Sequence, residues 1–292
     1  MTSETPDTHG RGGSGGAGIP APAVLVDRRG PDTAPGAVTI VRLNRPDTRN
    51  ALTTELKVAL RDALEEVADD PLVRAVVLAS SGPAFCVGQD LHEHAEALGA
   101  GEGGAPSADA LSTVAEHYNR IAAALATMPK PVVAAVNGTC VGAGLGFALA
   151  CDLRIAAEGV RFATAFAGIG FGGDSGLSGT LAHAVGASRA TELLMLGEPF
   201  TAEAARDWGL VREVVPAASV DDTAIALAER LAAGPTLAYA EIKRAVALGT
   251  VSPLRDVLEH EAAAQARLGS TADHRGAVAA FLAKEKPTFR GR

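Results

Sequence analysis

The chain has 292 residues, 47% of them hydrophobic and 21% charged, with a formal net charge of −8 at pH 7. That length suffices for a large buried core, and the acidic balance argues against a general attraction to nucleic acid or to an anionic membrane surface. The three cysteines, Cys86, Cys140 and Cys151, form no CxxC pair, which favours reduced thiols in a cytoplasmic protein.

The first twenty residues predict a disordered tail. Residues 1–18 contain six glycines and no Leu, Val or Ile, so they supply neither core residues nor the apolar stretch of an export signal. Beyond the tail, short β-rich runs predict strands that alternate with helices. These runs lie at 23–27, 37–43, 74–79, 132–136, 153–157 and 210–215.

Helical patterns fill the intervals between the predicted strands. Leu56, Leu60 and Leu64 share one face of an amphipathic helix whose opposite face is charged. A second helix is expected over 108–127, after a Gly-rich loop at 98–106.

The uncharged run at 131–151 has the length of a membrane span, but it opens with a proline and Asn137-Gly138 interrupts it. It therefore predicts a short strand, a turn and a buried helix. No membrane contact is expected.

The pattern becomes wholly helical towards the C-terminus. Thr201 is the predicted N-cap of a short helix that Gly209 ends. Further helices are expected at 220–233, 236–248, 253–268 and 273–284. We therefore predict an α/β core over 21–217 and a C-terminal helical region over 218–292.

Three glycine-rich stretches follow predicted strands: SGPAFCVGQDL at 81–91, KPVVAAVNGTCVGAGLGFALACD at 130–152 and GIGFGGDSGLSGT at 168–180. Gly88 allows the first to turn closely around a ligand, and Gly142 precedes a helix whose first N–H groups have no partner within the helix. One N–H group from each of these two stretches would suffice to stabilise an oxyanion. Ordinary structural turns are the alternative interpretation.

Other motifs give weaker signals. The glycines from 142 onward fail the dinucleotide-binding fingerprint, because Phe147 or Leu149 stands in place of its third glycine. The GDSG string at 173–176 resembles the nucleophile loop of trypsin-like proteases, but that fold is all-β. His92 and His94 flank an acidic residue, yet an i,i+2 spacing on a helix points their rings apart, so a solvated face without metal is expected.

Taken together and in this order, the stretches resemble the enoyl-CoA hydratase/isomerase (crotonase) family. The resemblance covers about 22–292 and includes TIVRLNRPDTRNAL at 39–52, LGEPFTAEAARDWGLVREVVP at 196–216, GPTLAYAEIKRAV at 234–246 and GAVAAFLAKEKPTFRGR at 276–292. It implies an α/β fold, a crotonase-like ββα spiral with a C-terminal helical trimerisation region. It also implies acyl-CoA thioester substrates and no cofactor besides the coenzyme A of the substrate.

By position, the resemblance implies an oxyanion hole made by the backbone N–H groups of Gln89 and Ala143. Substrate contacts are expected from the neighbouring residues Val87, Gly88, Asp90, Leu91 and Gly142. The same alignment points the Asp90 side chain away from the thioester.

The chain departs from the family pattern at the proton-transfer positions. The two glutamates that family hydratases use fall on Gly146 and Phe166, neither of which transfers a proton. Asp174 lies where some branches place a catalytic aspartate. Its loop is closest to the PDSGG loop of the ring-epoxyphenylacetyl-CoA and enoyl-CoA isomerases, although Gly173 and Leu177 differ from it.

We therefore predict an acyl-CoA isomerase that shifts a double bond or rearranges a ring, with Asp174 as its base. Burial in an acyl pocket lined by Phe166 and Phe171 is expected to raise the pKa of that carboxyl, with plain core packing as the alternative role of the two rings. Two other functions remain open. One is a hydratase or lyase that activates water with Asp174 alone, and the other is a catalytically silent acyl-CoA-binding protein in which Asp174 only caps a helix.

The C-terminal region carries two further predictions. Phe281 and Lys284 match a family pair that contacts CoA, often from the adjacent subunit, with a solvated lysine as the alternative. Apolar faces of the last helices, for example at Val257, Ala264 and Leu268, predict burial against identical chains. The expected assembly is a homotrimer or a homohexamer.

Overall fold

The computed structural model describes residues 21–30, 36–99 and 112–292. The tail predicted over 1–20 lies outside these ranges, as does most of the loop predicted at 98–106. Among the described residues, no helix is long and apolar enough to cross a membrane.

The β-rich runs form the larger of two sheets in the described part of the chain. Its strands are β1 (Val24–Arg29), β2 (Ala37–Leu43), β3 (Val73–Ser80), β5 (Val132–Val136), β7 (Leu153–Ala157) and β10 (Glu213–Val215), in that spatial order. Only β1 and β2 pair antiparallel; the other pairs are parallel, with Val77 of β3 opposite both Ile40 and Val133. β3 and β5 are buried along their whole length, as is usual where both faces of a parallel sheet are covered.

A second, smaller sheet consists of β4 (Ala84–Cys86), β6 (Thr139–Val141), β8 (Arg161–Ala163) and β9 (Phe200–Thr201). From β3 to β8 the chain alternates between the sheets, so that each of these spiral turns adds one strand to the larger sheet and the next strand to the smaller one. The predicted ββα spiral is therefore confirmed. None of the short strands was predicted from the sequence, because two or three residues are too few to establish an alternating pattern.

The helices are α1 (Thr54–Asp69), α2 (Leu91–Ala97), α3 (Asn119–Thr127), α4 (Ala143–Ala150), α5 (Leu177–Val185), α6 (Ala187–Leu196), α7 (Ala202–Asp207), α8 (Val220–Ala232), α9 (Thr236–Gly249), α10 (Leu254–Gly269) and α11 (Ala272–Ala283). A π-helical turn over Val114–Tyr118 leads into α3. The predicted helix at 108–127 is therefore helical from residue 112, where the described part of it begins. The Thr201 hydroxyl accepts from the Ala204 N–H and begins α7, which confirms that predicted cap.

Amphipathic helices cover the larger sheet. α1 buries Leu56, Leu60 and Leu64 completely, as its pattern predicts.

The C-terminal helices lie within two residues of their predicted bounds. However, α8 packs on β2, β3, β5 and β7 and buries Ala224 and Ala228, so the core continues past the boundary drawn at residue 218. The boundary lies where the predicted strands end, which the sequence shows. The packing of α8 on the sheet is not visible in the sequence.

Candidate active site

The glycine-rich stretches meet at one edge of the smaller sheet. β4, β6 and β8 are parallel neighbours, with Cys86 opposite Cys140 and Cys140 opposite Phe162. Because the carboxyl ends of parallel strands lie at the same edge, the chain leaves all three into adjacent loops. These loops hold Gly88, Gly142 and Phe166 respectively.

Two glycines allow the first two loops to come close together. Gly88 has φ +85° and Gly142 has φ +57°, values that L side chains rarely adopt. A Cβ built on Gly88 would lie 3.3 Å from the Val141 carbonyl oxygen and 3.7 Å from the Ala143 nitrogen. The segments with the predicted oxyanion donors are therefore neighbours in space.

The backbone pattern leaves both predicted donors available. The Leu52 N–H donates to the Gly88 carbonyl at 2.8 Å and the Asp90 N–H donates to the Leu52 carbonyl at 3.2 Å. In such a parallel bridge the intervening residue, Gln89, points its own N–H away from Leu52. Ala143 is the first residue of α4, where an N–H has no partner within the helix.

A cavity of about 420 Å³ lies against these loops. Its walls are mostly apolar, with Phe166 buried and Phe171 half exposed. It brings together most of the predicted site residues: Val87, Gly88, Gln89, Leu91, Gly142, Ala143, Phe166, Phe171 and Asp174. Its size and lining suit an acyl group.

Asp174 is the only carboxylate among the described residues that line this cavity. Burial raises the pKa of its carboxyl, and a hydrogen bond from the Ser175 hydroxyl, at 2.8 Å from Oδ1, opposes that rise. The carboxylate does not cap a helix. α5 begins at Leu177, its N-cap is Gly176, and no side chain accepts a capping hydrogen bond there.

Asp90 differs from the other predicted contacts. Its carboxylate accepts from the backbone N–H groups of His92 and Glu93 at the start of α2 and pairs with Arg45 at 3.4 Å. Although desolvation raises the pKa of Asp90, these hydrogen bonds lower it more, so it lies below its usual value. Asp90 does not line the cavity, so the predicted substrate contact is corrected: its carboxylate is occupied as a helix cap.

Phe281 and Lys284 also lie away from the cavity within one chain. Both side chains are exposed at the end of α11, and Phe281 is 80% exposed. Their predicted contact with CoA stays a prediction.

His94 lines the cavity, contrary to the solvated face predicted for it. It is half buried on α2, and its ring meets the ring of Phe171 edge-on at 5.9 Å between centroids. His94 follows Leu91 by one helical turn, so the expected role of Leu91 already indicated which face His94 shares. Within the described ranges, no group of three or more His, Cys, Asp or Glu side chains is arranged to hold a metal ion.

A buried lysine supports the Gln89 side chain. Lys57 Nζ donates to Gln89 Oε1 at 3.3 Å and to Thr113 Oγ1 at 2.7 Å, and the Tyr118 hydroxyl donates to the same Gln89 oxygen. Desolvation lowers the pKa of Lys57, although Glu93, at 4.0 Å, opposes that shift. The sequence signal that could have revealed this network is the position of Lys57, a charged residue on the buried, apolar face of α1 that also carries Leu60.

A larger cavity of about 720 Å³ lies between α9, α10 and α11, away from the glycine-rich loops. Two of the carboxylates in its wall are engaged in the fold. Glu241 pairs with Arg244 and Arg267, and the Asp273 side chain accepts from the backbone N–H groups of Arg290 and Gly291. Glu261 and His274 also line this cavity, which shares no lining residue with the cavity at the glycine-rich loops.

Comparisons with known proteins point to one family. The family model described as enoyl-CoA hydratase/isomerase matches residues 33–292. The chain is 37% identical over 258 residues to the 1,2-epoxyphenylacetyl-CoA isomerase of Escherichia coli, covering 88% of this chain and 96% of that protein. It is 38% identical over 255 residues to a probable enoyl-CoA hydratase of Rhodobacter capsulatus, covering 87% and 95% respectively.

Among solved structures, a Mycobacterium abscessus protein assigned to the enoyl-CoA hydratases/isomerases superposes with a TM-score of 0.84 at 49% identity. The match covers 92% of this chain and 100% of that one. Relatives named as an isomerase and as a hydratase are equally similar to this chain, so the reaction must be inferred from the site itself.

Proposed function

The chain belongs to the enoyl-CoA hydratase/isomerase family, and we propose that it is an acyl-CoA isomerase with Asp174 as its single acid–base group. The observation on which this rests is the lining of the 420 Å³ cavity, where Asp174 is the only carboxylate among the described residues. One carboxylate suffices to remove a proton from one carbon and return it to another. The product of this proton transfer is an acyl-CoA with a shifted double bond.

The reaction begins when the Asp174 carboxylate takes a proton from a carbon of the acyl chain. The electron pair left behind is delocalised into the thioester carbonyl as an enolate. The backbone N–H groups of Gln89 and Ala143 donate to the enolate oxygen, and losing one such donor typically costs about 2.7–4 kcal/mol of barrier. The protonated Asp174 then returns the proton to a different carbon, so no water is consumed.

The electrostatics of the cavity support this role. The apolar walls, with Phe166 among them, favour the neutral form of Asp174, while the Ser175 hydroxyl favours the ionised form. A carboxyl with a pKa above its ordinary value accepts and returns a proton more readily at neutral pH. Neither Gly146 nor Phe166, at the positions of the hydratase glutamates, adds a second proton-transferring group.

Asp174→Asn tests the proposal. Because the amide keeps the shape but not the basicity, turnover of β,γ-unsaturated or ring-bearing acyl-CoAs is expected to fall at least about a hundredfold. Acyl-CoA affinity and the melting temperature are expected to change little, because the oxyanion donors are backbone groups. His94→Gln is the matched control. It removes the titratable side chain that α2 contributes to the same cavity and is expected to retain most activity.

Retention of more than about a third of wild-type turnover by Asp174→Asn contradicts the proposal. A large loss in His94→Gln with little loss in Asp174→Asn would assign the base to His94 instead. Isotope exchange at the thioester α-carbon distinguishes both from a silent binder, which exchanges nothing.

A hydratase that uses Asp174 alone is the second candidate. The observation in its favour is the 38% identity to the probable hydratase of Rhodobacter capsulatus. It differs from the isomerase in its product, which contains one added water.

We also propose assembly as a homotrimer or a dimer of trimers, in which Phe281 and Lys284 of one subunit contact CoA bound to the next. Large apolar side chains stay exposed on the C-terminal helices of the single chain: Ile242, Val246, Leu254, Leu258, Val278, Phe281 and Leu282. Burying them against identical copies removes that surface from water. A monomer mass from light scattering at micromolar concentration would contradict this assembly.

A further inference from the structure

Ser175, next to Asp174, has an unusual backbone conformation. Its φ is +53°, in the left-handed region that glycine adopts far more easily than a residue with a Cβ. The side chain is nevertheless buried, at 1% relative exposure, and its hydroxyl donates to Asp174 Oδ1 at 2.8 Å. Strain of this kind persists only where the surrounding structure enforces it, and it is common at functional sites.

The neighbouring helix makes room for this side chain. Gly146 lies inside α4, where glycine is a poor helix former. A Cβ built on Gly146 would lie 2.6 Å from Ser175 Cβ and 3.2 Å from the Ser175 carbonyl oxygen, closer than real Cβ atoms pack. Two locally unfavourable choices, the glycine in the helix and the left-handed serine, therefore meet at one contact.

A capping role does not explain Ser175. The N-cap of the following helix α5 is Gly176, with φ +74° and no capping side chain, and the Leu177 N–H donates to the Asp174 carbonyl at 2.9 Å. The Ser175 hydroxyl donates instead to the Asp174 carboxylate.

We propose that Ser175 is a positioning residue for Asp174, and that residue 146 must be glycine so that the Ser175 side chain has room to reach the carboxylate. The hydrogen bond selects one orientation of the carboxylate in the cavity and stabilises its ionised form. The proposal rests on the function proposed above, in which Asp174 is the base. It predicts that Ser175 changes the proton affinity of Asp174 as well as the stability of the fold.

Among the described residues, two other titratable groups line the cavity with Asp174, each on a neighbouring element. Tyr118, on the turn before α3, interacts electrostatically with Asp174, and His94 on α2 lines the same cavity. Neither makes the short hydrogen bond that Ser175 makes. A change confined to Ser175 therefore alters the pH dependence through Asp174 while leaving these two groups in place.

The test is the pH dependence of kcat/KM for wild type, Ser175→Ala and Ser175→Gly, with Ser178→Ala as the control on the exposed side of α5. Loss of the hydroxyl is expected to move the acid limb upward by about one pH unit, as expected when a hydrogen bond to a charged group is lost. Plateau turnover is expected to fall about three- to tenfold through looser orientation, with KM within about twofold of wild type. Ser178→Ala is expected to match wild type.

Ser175→Gly guards against misfolding, because glycine tolerates the left-handed backbone. It is expected to melt no lower than wild type and to shift the acid limb as Ser175→Ala does. If both variants superimpose on the wild-type profile while Asp174→Asn is inactive, the positioning role is wrong and the base assignment stands. If Asp174→Asn is active, the proposed function itself fails.

Melting temperatures test the contact without measuring activity. Gly146→Ala is expected to lower the melting temperature, or prevent folding, in wild type, and to do much less harm in Ser175→Gly, where the opposing side chain is gone. Recovery of folding in the double variant supports the contact. Equal damage in both backgrounds overturns it.

Discussion

The proposed oxyanion side of the cavity is made of main chain, whereas the proposed base side depends on one side chain. On the proposed oxyanion side, Gly88 and Gly142 have positive φ angles that let the two loops with the proposed donors come close together. On the base side, Asp174 is held by Ser175, which itself needs the space beside Gly146. We therefore expect the proposed oxyanion hole to depend on backbone geometry and to accept different side chains at Gln89 and Ala143, and the proposed base to require a carboxylate at residue 174.

The largest effect is expected from breaking the oxyanion side at Gly142. A Cβ there meets no atom closer than 3.8 Å, so Gly142→Ala acts through its φ of +57° and ψ of −126° rather than through a clash. Displacing the Ala143 N–H is expected to lower kcat about 10²- to 10³-fold, the usual consequence of losing one oxyanion donor. Steady-state kinetics with a β,γ-unsaturated acyl-CoA measures it.

Gly159→Ala is the control for Gly142→Ala. Gly159 also has a positive φ, +76°, and nothing lies within 4 Å of its built Cβ, but it is exposed and away from the cavity. It is expected to lose stability without losing turnover. Equal kinetic effects of the two substitutions would mean that backbone strain in general, and not the oxyanion hole, limits the rate.

The pH dependence of kcat/KM in wild type tests whether Asp174 is the base. Burial raises the pKa of Asp174, and only the ionised carboxylate removes a proton, so activity is lost as the pH falls through that raised value. The acid limb of kcat/KM is expected to lie above the ordinary aspartate pKa of about 3.9, with about a tenfold loss for each pH unit below it. A rate that stays constant down to pH 4 would rule out Asp174 as a perturbed base.

A smaller effect is expected from Lys57, whose ammonium group donates to the side chain of Gln89. Lys57→Met keeps the bulk of the side chain but removes the donor that holds Gln89 Oε1, while the Tyr118 hydroxyl still donates to it. Turnover is expected to fall about three- to tenfold as the Gln89 N–H loses part of its alignment. Arg61→Met, one turn further along α1, is the control, and equal turnover in the two variants would contradict a role for Lys57.

The smallest effect is expected at the CoA end of the substrate. Lys284 is exposed on the surface, so its attraction to a phosphate is screened by salt. Lys284→Ala is expected to weaken CoA binding a few-fold at low ionic strength and hardly at all at high ionic strength. Isothermal titration at both salt concentrations measures the change, and an unchanged Kd at low salt would remove Lys284 from the CoA site.

The sequence predicts the backbone side of the site better than its side-chain network. The loops at Gly88 and Gly142 are visible because a positive φ demands glycine after a strand, and α8 to α11 are visible because their apolar periodicity is long. Asp174 stands out as a carboxylate in a glycine-rich loop. These features are local, so a single stretch of sequence is enough to reveal them.

The features that the sequence did not predict depend on contacts between distant segments. β4, β6, β8 and β9 are too short for a pattern and exist because they pair with one another. The contact between Gly146 and Ser175 joins two segments that are not linked by any periodic pattern. The cavity-facing side of His94 is the exception, because His94 follows Leu91 by one helical turn and Leu91 is already expected at the site.

The mass of the product formed in ¹⁸O-labelled water most directly distinguishes an isomerase from a hydratase. Wild type is incubated with a β,γ-unsaturated acyl-CoA, and the products are separated and weighed by mass spectrometry. If Asp174 acts as the base of an isomerase, the main product is a conjugated isomer of unchanged mass, formed by wild type and lost in Asp174→Asn. A main product heavier by one labelled water would contradict it and identify the chain as a hydratase.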